Sequence, residues 1–138
     1  MKYITHRRFK GLAACGQELN LPYGTGLTTV GNFLVTKDGR VVCGKNSENG
    51  LRHFAVNDDG KGLERGALTY AIAYGTRQRK CKNGVYRFSE KEREMLSNDW
   101  GHFLNKDVDF ILFNDDFFTA QIDELQQLAK VLNIKIAR

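Results

Sequence analysis

No run of apolar residues in the 138-residue chain approaches the ~20 needed to cross a bilayer. Met1–Lys10 carries charge and leads into neither the apolar stretch nor the small-residue cleavage site of a secretory leader. The chain is therefore expected to stay where it is made, in the cytoplasm, away from membranes. Cysteine is scarce and poorly spaced: Cys15, Cys43 and Cys81 are odd in number and form no C-x-x-C pair, which excludes a disulfide framework and a zinc site. With Ala13, Ala14, Val41 and Val42 beside them, Cys15 and Cys43 are expected to be reduced, buried filler without thiol chemistry.

Catalytic signatures are missing too. His6, His53 and His102 lie far apart, in no H-x-x-x-H arrangement and beside no nucleophile motif, so surface or partly buried imidazoles are expected. The most unusual stretch, Asn57-Asp58-Asp59-Gly60-Lys61-Gly62-Leu63-Glu64-Arg65-Gly66, fails three spacing tests. An EF-hand needs an acid where Ala55 stands, and a P-loop needs Ser or Thr where Gly62 follows Lys61. For a dinucleotide fingerprint, Gly66 falls one residue late. A turn that caps a following helix explains the stretch, with its acids at the favourable end of the helix dipole. A metal site from Asp58, Asp59 and Glu64 is the alternative, because hard cations want clustered carboxylates.

What is present is a chain of one-domain size, 41% hydrophobic and 27% charged, able to bury roughly two thirds of its unfolded surface. Charge is uneven: residues 1–88 hold 15 Lys/Arg against 6 Asp/Glu, and residues 89–138 hold 6 against 10. Such asymmetry speaks to partners rather than to fold.

Short apolar runs between Tyr3 and Ala55, broken by glycine-bearing turns, read as antiparallel strands and not as helix. The strands predicted are Tyr3–Phe9, Leu12–Leu21, Leu27–Val35 and Arg40–Gly44, with residues 22–26 as a loop. Asp38-Gly39 marks a tight hairpin, since that dipeptide accepts positive φ. Leu63, Ala67, Tyr70, Ala71 and Tyr74 recur at helical spacing, predicting a helix from Leu63 to Tyr74. Residues 75–87 carry five basic residues and no acid, as an exposed loop or ribbon would. Ser89 and Glu92 have capping-box spacing for a helix that buries Leu96, Trp100, Phe103 and Leu104.

A strand over Asp107–Phe113 is expected next, then a helix capped by Thr119 with Ile122, Leu125, Leu128, Ala129 and Leu132 on one face, stopped at Asn133. Ile134–Ile136 would close as a short strand, and one of Phe117 and Phe118 would stand exposed as a partner anchor. The fold class is thus α+β, a small antiparallel β-sheet or SH3-like barrel followed by helices and a short strand. One domain is expected, with a β-rich lobe over about 1–75, a basic loop at 76–88 and an α-rich lobe at 89–138.

The basic residues suggest the function. Arg7, Arg8 and Lys10 lie on or beside the first strand, and Arg77, Arg79, Lys80, Lys82 and Arg87 fill the loop, with Tyr86 and Phe88 interleaved. Lys/Arg clusters bind phosphate backbones by counterion release, and aromatics stack on bases.

The opening Lys2-Tyr3-Ile4-Thr5-His6-Arg7-Arg8-Phe9-Lys10-Gly11, the turn Leu21-Pro22-Tyr23-Gly24-Thr25, Ser47-Glu48-Asn49, and Phe54-Ala55-Val56 with the 57–66 stretch carry a family likeness. Together they resemble a group of uncharacterised small proteins encoded by phages and prophages of Gram-positive bacteria. The likeness covers the first 70 residues or so and, less fully, Phe117-Phe118-Thr119-Ala120 and Leu125-Gln126-Gln127-Leu128-Ala129, while residues 76–110 diverge. It implies action inside a bacterial host cell and carries over no catalytic residue and no cofactor. The expectation is a non-enzymatic binding protein whose basic face meets nucleic acid or an acidic host protein. A metal-dependent hydrolase and a self-associating structural protein are the competing classes.

Overall fold

The computed structural model describes residues 1–79, 81–82, 85–86, 90–104 and 113–136. The chain is α+β, strands first and helices after, and divides into two compact units, Met1–Gly66 and Ala67–Arg138.

Six strands open the first unit: β1 (Lys2–Thr5), β2 (Phe9–Leu12), β3 (Glu18–Leu21), β4 (Gly26–Val30), β5 (Phe33–Val35) and β6 (Val41–Gly44). A short helix, α1 (Glu48–His53), and a last strand, β7 (Phe54–Val56), follow. Five of the strands form a curled antiparallel sheet in the order β6-β5-β4-β1-β7, and β2 pairs with β3 in a separate ribbon.

Two predicted long strands are hairpins instead. The Leu12–Leu21 run folds back through Ala13–Gln17, where the Ala13 amide donates to the Gln17 carbonyl at 2.8 Å. The Leu27–Val35 run turns at Gly31-Asn32, so that Val30 faces Phe33. Gly31 has φ +58°, the positive angle a two-residue hairpin loop demands at its first position. Tyr3–Phe9 also breaks, ending as β1 at Thr5 and resuming as β2 at Phe9.

The Asp38-Gly39 hairpin is present, joining β5 to β6 with Gly39 at φ +90°. Thr36 donates its hydroxyl to Asp38, and Arg40 Nε reaches the same carboxylate at 2.9 Å. Those two partners hold the Asp38 carboxyl below its usual range. Inside the curl, Tyr3, Phe9, Ala13, Leu19, Leu21, Leu27, Leu34, Val42 and Phe54 form one apolar cluster.

Helix α1 falls where the strand reading excluded helix. Ser47 supplies the cap that the apolar pattern hides, its hydroxyl accepting from the Gly50 amide at 3.1 Å. The 57–66 stretch does cap a helix, α2 (Gly62–Arg79), with Asn57 Oδ1 accepting the Gly62 amide at 2.7 Å. A β-carbon on Gly62 would lie 2.5 Å from Ile4 Cγ2, and one on Gly66 would lie 2.2 Å from His6 Cγ. One turn apart, these two glycines let the first turn of α2 lie directly on β1 and its extension.

In the second unit α2 runs to Arg79, past the predicted end at Tyr74. Gly75 does not stop it, because the missing side chain is filled by Ile134, whose carbons lie 3.3 Å from a would-be β-carbon. A ribbon, β8 (Cys81–Lys82) with β9 (Val85–Tyr86), and α3 (Glu90–Asp99) come next. Ser89, half of the expected capping box, lies outside the described residues, as do residues 107–112 of the expected strand; Phe113 bridges antiparallel to Leu104.

Thr119 does not cap the last helix. Asn114 starts a short helix, α4 (Asp115–Phe118), by accepting the Phe117 amide at 3.2 Å, and Thr119 closes it. The final helix, α5 (Ile122–Val131), turns Leu125, Leu128 and Ala129 inward and ends at Asn133, whose φ is +55°. The Ile134 amide then donates back to the Ala129 carbonyl at 2.9 Å, a Schellman-type end. That geometry replaces the expected strand at Ile134–Ile136, and both isoleucines pack on the core as irregular chain.

The core of this unit gathers Leu68, Ile72, Leu96, Trp100, Phe103, Phe117, Leu125, Leu128 and Leu132. Phe117 is fully buried and Phe118 packs edge-on against it, ring centroids 5.0 Å apart, so neither stands free as the expected partner anchor.

Candidate functional site

The link between β1 and β2 is three residues long, and burial on both sides forces its middle outward. His6 is buried, its amide donating to the His53 carbonyl at 2.9 Å, and Phe9 is buried with its ring 5.3 Å from the His53 imidazole. Arg7 and Arg8 between them are exposed. Arg8 Nε donates to Asn20 Oδ1 at 3.1 Å, and Asn20 pairs across the ribbon with exposed Lys10, which brings Arg8 and Lys10 together.

The end of α1 adds Arg52, exposed in the last turn, and His53. Burial pushes the His6 imidazole down to about 4, with the Arg7 charge and then His53 adding to the shift. His53 is lowered as well, first by burial, then by Arg52 and Arg7. Two imidazoles neutral at pH 7 thus sit within the field of two guanidinium groups. His53 Nδ1 is buried with no hydrogen-bond partner among the described residues.

The 22–25 loop is pinned beside this cluster by Thr5. The Thr5 hydroxyl donates to the Pro22 carbonyl at 2.6 Å and accepts the Thr25 amide at 2.7 Å. The Gly24 amide donates to the Thr5 carbonyl at 2.8 Å. This fixes Tyr23, 64% exposed, on a loop held one residue from His6. Such an array offers guanidinium and ammonium donors for anionic oxygens and an exposed ring for stacking.

Of the residues singled out in the sequence, Arg7, Arg8 and Lys10 are therefore brought together. Arg77 and Arg79 lie on the last turn of α2 and not on a loop, Lys82 lies on β8, and Lys80 and Arg87 lie outside the described residues. Arg52 was not among them, and His53 was weighed only as an isolated imidazole. Their signal was Ser47 as a cap with a basic pair one short helix later, where the dipole favours positive charge.

The alternative carboxylate site is not assembled. Asp59 grips buried Arg65, the guanidinium 2.6 Å from Oδ2, and accepts the Lys61 amide at 3.0 Å. The Arg65 bond and the Lys61 amide hold its carboxyl far below the usual range. Asp58 accepts the Lys2 amide at 2.7 Å, and Glu64 is exposed on the helix. Among the described residues no three His, Cys, Asp or Glu side chains form a group that could hold a metal ion. The cysteines also differ from expectation: Cys15 is exposed on the β2–β3 turn, where the ribbon lifts it off the core, and Cys43 is half-buried. Burial raises the Cys43 thiol, leaving it protonated.

No described helix is long and apolar enough to cross a membrane. Compared with known proteins, the chain matches no family profile, no curated protein and no solved structure.

Proposed function

We propose that this is a non-enzymatic binding protein, phage- or prophage-encoded and acting in the bacterial cytoplasm, that contacts nucleic acid through Arg7, Arg8, Lys10 and Arg52. The observation that carries this reading is the convergence of two segments separate in sequence. The β1–β2 link and the end of α1 meet where the His6 amide donates to the His53 carbonyl at 2.9 Å, which sets Arg7 and Arg52 next to that joint, with Arg8 and Lys10 alongside. Lys/Arg groups so placed neutralise phosphates and release their counterions. Tyr23, exposed on the loop that Thr5 pins, favours nucleic acid over an acidic protein surface, because a base offers its ring a stacking partner.

The test is retention of the purified protein on labelled DNA and RNA. Changing Arg7, Arg8 and Arg52 together to Glu is expected to abolish retention, while the same change at Arg77 and Arg79 leaves most of it. Retention that survives the first triple change contradicts the reading.

A further inference from the structure

The sheet has a second exposed set of groups that the arginine cluster does not use. Cross-strand partners project to one face of a sheet, as do alternate residues along a strand. Lys2 pairs with Thr28 and Val30 with Phe33, so these four side chains share the face that Gly62 and Gly66 approach at Ile4 and His6. Away from those two glycines, Lys2 and Thr28 are exposed, Val30 is 64% exposed and Phe33 54%. Lys37 lies on the same face, its Cε 3.9 Å from where a β-carbon on Gly26 would stand. The neighbouring carboxylates are engaged: Asp58 accepts the Lys2 amide, and Asp38 holds Thr36 and Arg40.

A scattered exposed apolar residue needs no explanation. Here an aromatic ring and its β-branched neighbour share a face with two ammonium groups and a hydroxyl. A flat ring stacks on any unpaired base, and ammonium groups track the backbone that joins the bases. Bases of a duplex are already stacked on each other, so the ring acts only on a single strand.

We infer that this sheet face binds single-stranded nucleic acid, with a base stacked on Phe33 and the flanking phosphates on Lys2 and Lys37. The inference rests on the reading that the first unit binds nucleic acid through Arg7, Arg8, Lys10 and Arg52, and it adds strand selectivity to that reading.

Fluorescence anisotropy of the full chain with a labelled oligothymidine of about 12 nucleotides, within the site sizes known for small sheet binders, tests it against a duplex of the same length. Phe33→Ala is expected to weaken single-strand binding about tenfold or more, the effect of losing one stacked base, and to change duplex binding less than about twofold. Phe33→Trp is expected to restore it, and Lys2→Ala with Lys37→Ala to weaken it further. Circular dichroism confirms folding, which a change at this exposed ring leaves intact.

If Phe33→Ala binds the single strand like wild type while the Arg7, Arg8 and Arg52 triple variant does not bind, the inference fails and the broader reading stands. Failure of the wild-type chain to bind either probe overturns both. Phe33-dependent binding to anionic lipid vesicles without single-strand binding also overturns the inference.

Discussion

His6 and Gly66 are one fit seen from two sides. The imidazole occupies the space a side chain on the helix would take, and it is neutral there because burial disfavours its charged form. The unfolded chain protonates this histidine near 6.5 and the folded chain only near 4, so below pH 6.5 the unfolded state binds the extra proton. Stability is therefore expected to fall as pH drops from 6.5 toward 4 and to level off beneath, by on the order of 3 kcal/mol from His6. His53, lowered in the same direction, adds to the loss. Urea unfolding at a series of pH values checks this: His6→Gln should flatten the slope in that window, and a wild-type stability constant across it would contradict the assignment. Gly66→Ala makes the steric side measurable. Helix propensity favours alanine by about 1 kcal/mol, but a contact this short forces the helix off the strand, so a net loss of about 1–3 kcal/mol is expected. Gly75→Ala, facing movable Ile134 carbons at 3.3 Å, should change the unfolding free energy by less than about 1 kcal/mol.

Among elements, β7 depends on a side chain from outside the sheet. Arg65 Nη1 donates to the Val56 carbonyl at 2.8 Å while its other nitrogen holds Asp59, so one buried guanidinium ties the end of the edge strand to the cap of α2. Arg65→Met keeps the stem but leaves that carbonyl without its side-chain donor and the carboxylate with only the Lys61 amide. A loss of about 2–4 kcal/mol is expected in thermal or urea unfolding, with little change for Asp58→Asn, whose residue holds one exposed amide. Elements with a chemical marker were readable in the sequence: Asp38-Gly39 announced its hairpin, the Leu125, Leu128 and Leu132 spacing announced α5, and Asn133 its stop. Elements decided by pairing were not. Gly31-Asn32 is a local hairpin signal that the apolar runs on either side mask as one strand, and α1 is too short to show a helical period. The length of α2 was hidden because Gly75 is a helix breaker only until Ile134 fills its place.

On the scale of the whole molecule the charge argument changes form. Counted by segment, the chain looked like a basic front and an acidic back. Counted by compact unit, Met1–Gly66 holds 10 Lys/Arg against 6 Asp/Glu and Ala67–Arg138 holds 11 against 10, because residues 77–87 belong to the second unit. The surplus lies in the first unit, and three of its members, Arg7, Arg8 and Lys10, were legible as a run in sequence. Arg52 joins them only through folding, which is why composition alone did not find it. The account therefore stands on local convergence rather than on a dipole along the chain. Its most direct test is the salt dependence of binding to a single-stranded oligonucleotide. Arg7, Arg8, Lys10 and Arg52, together with Lys2 and Lys37 on the sheet face, predict a slope of log affinity against log salt of about −4, falling to about −1.4 when the first four are neutralised. A wild-type slope near zero, or one unchanged by those substitutions, would contradict it.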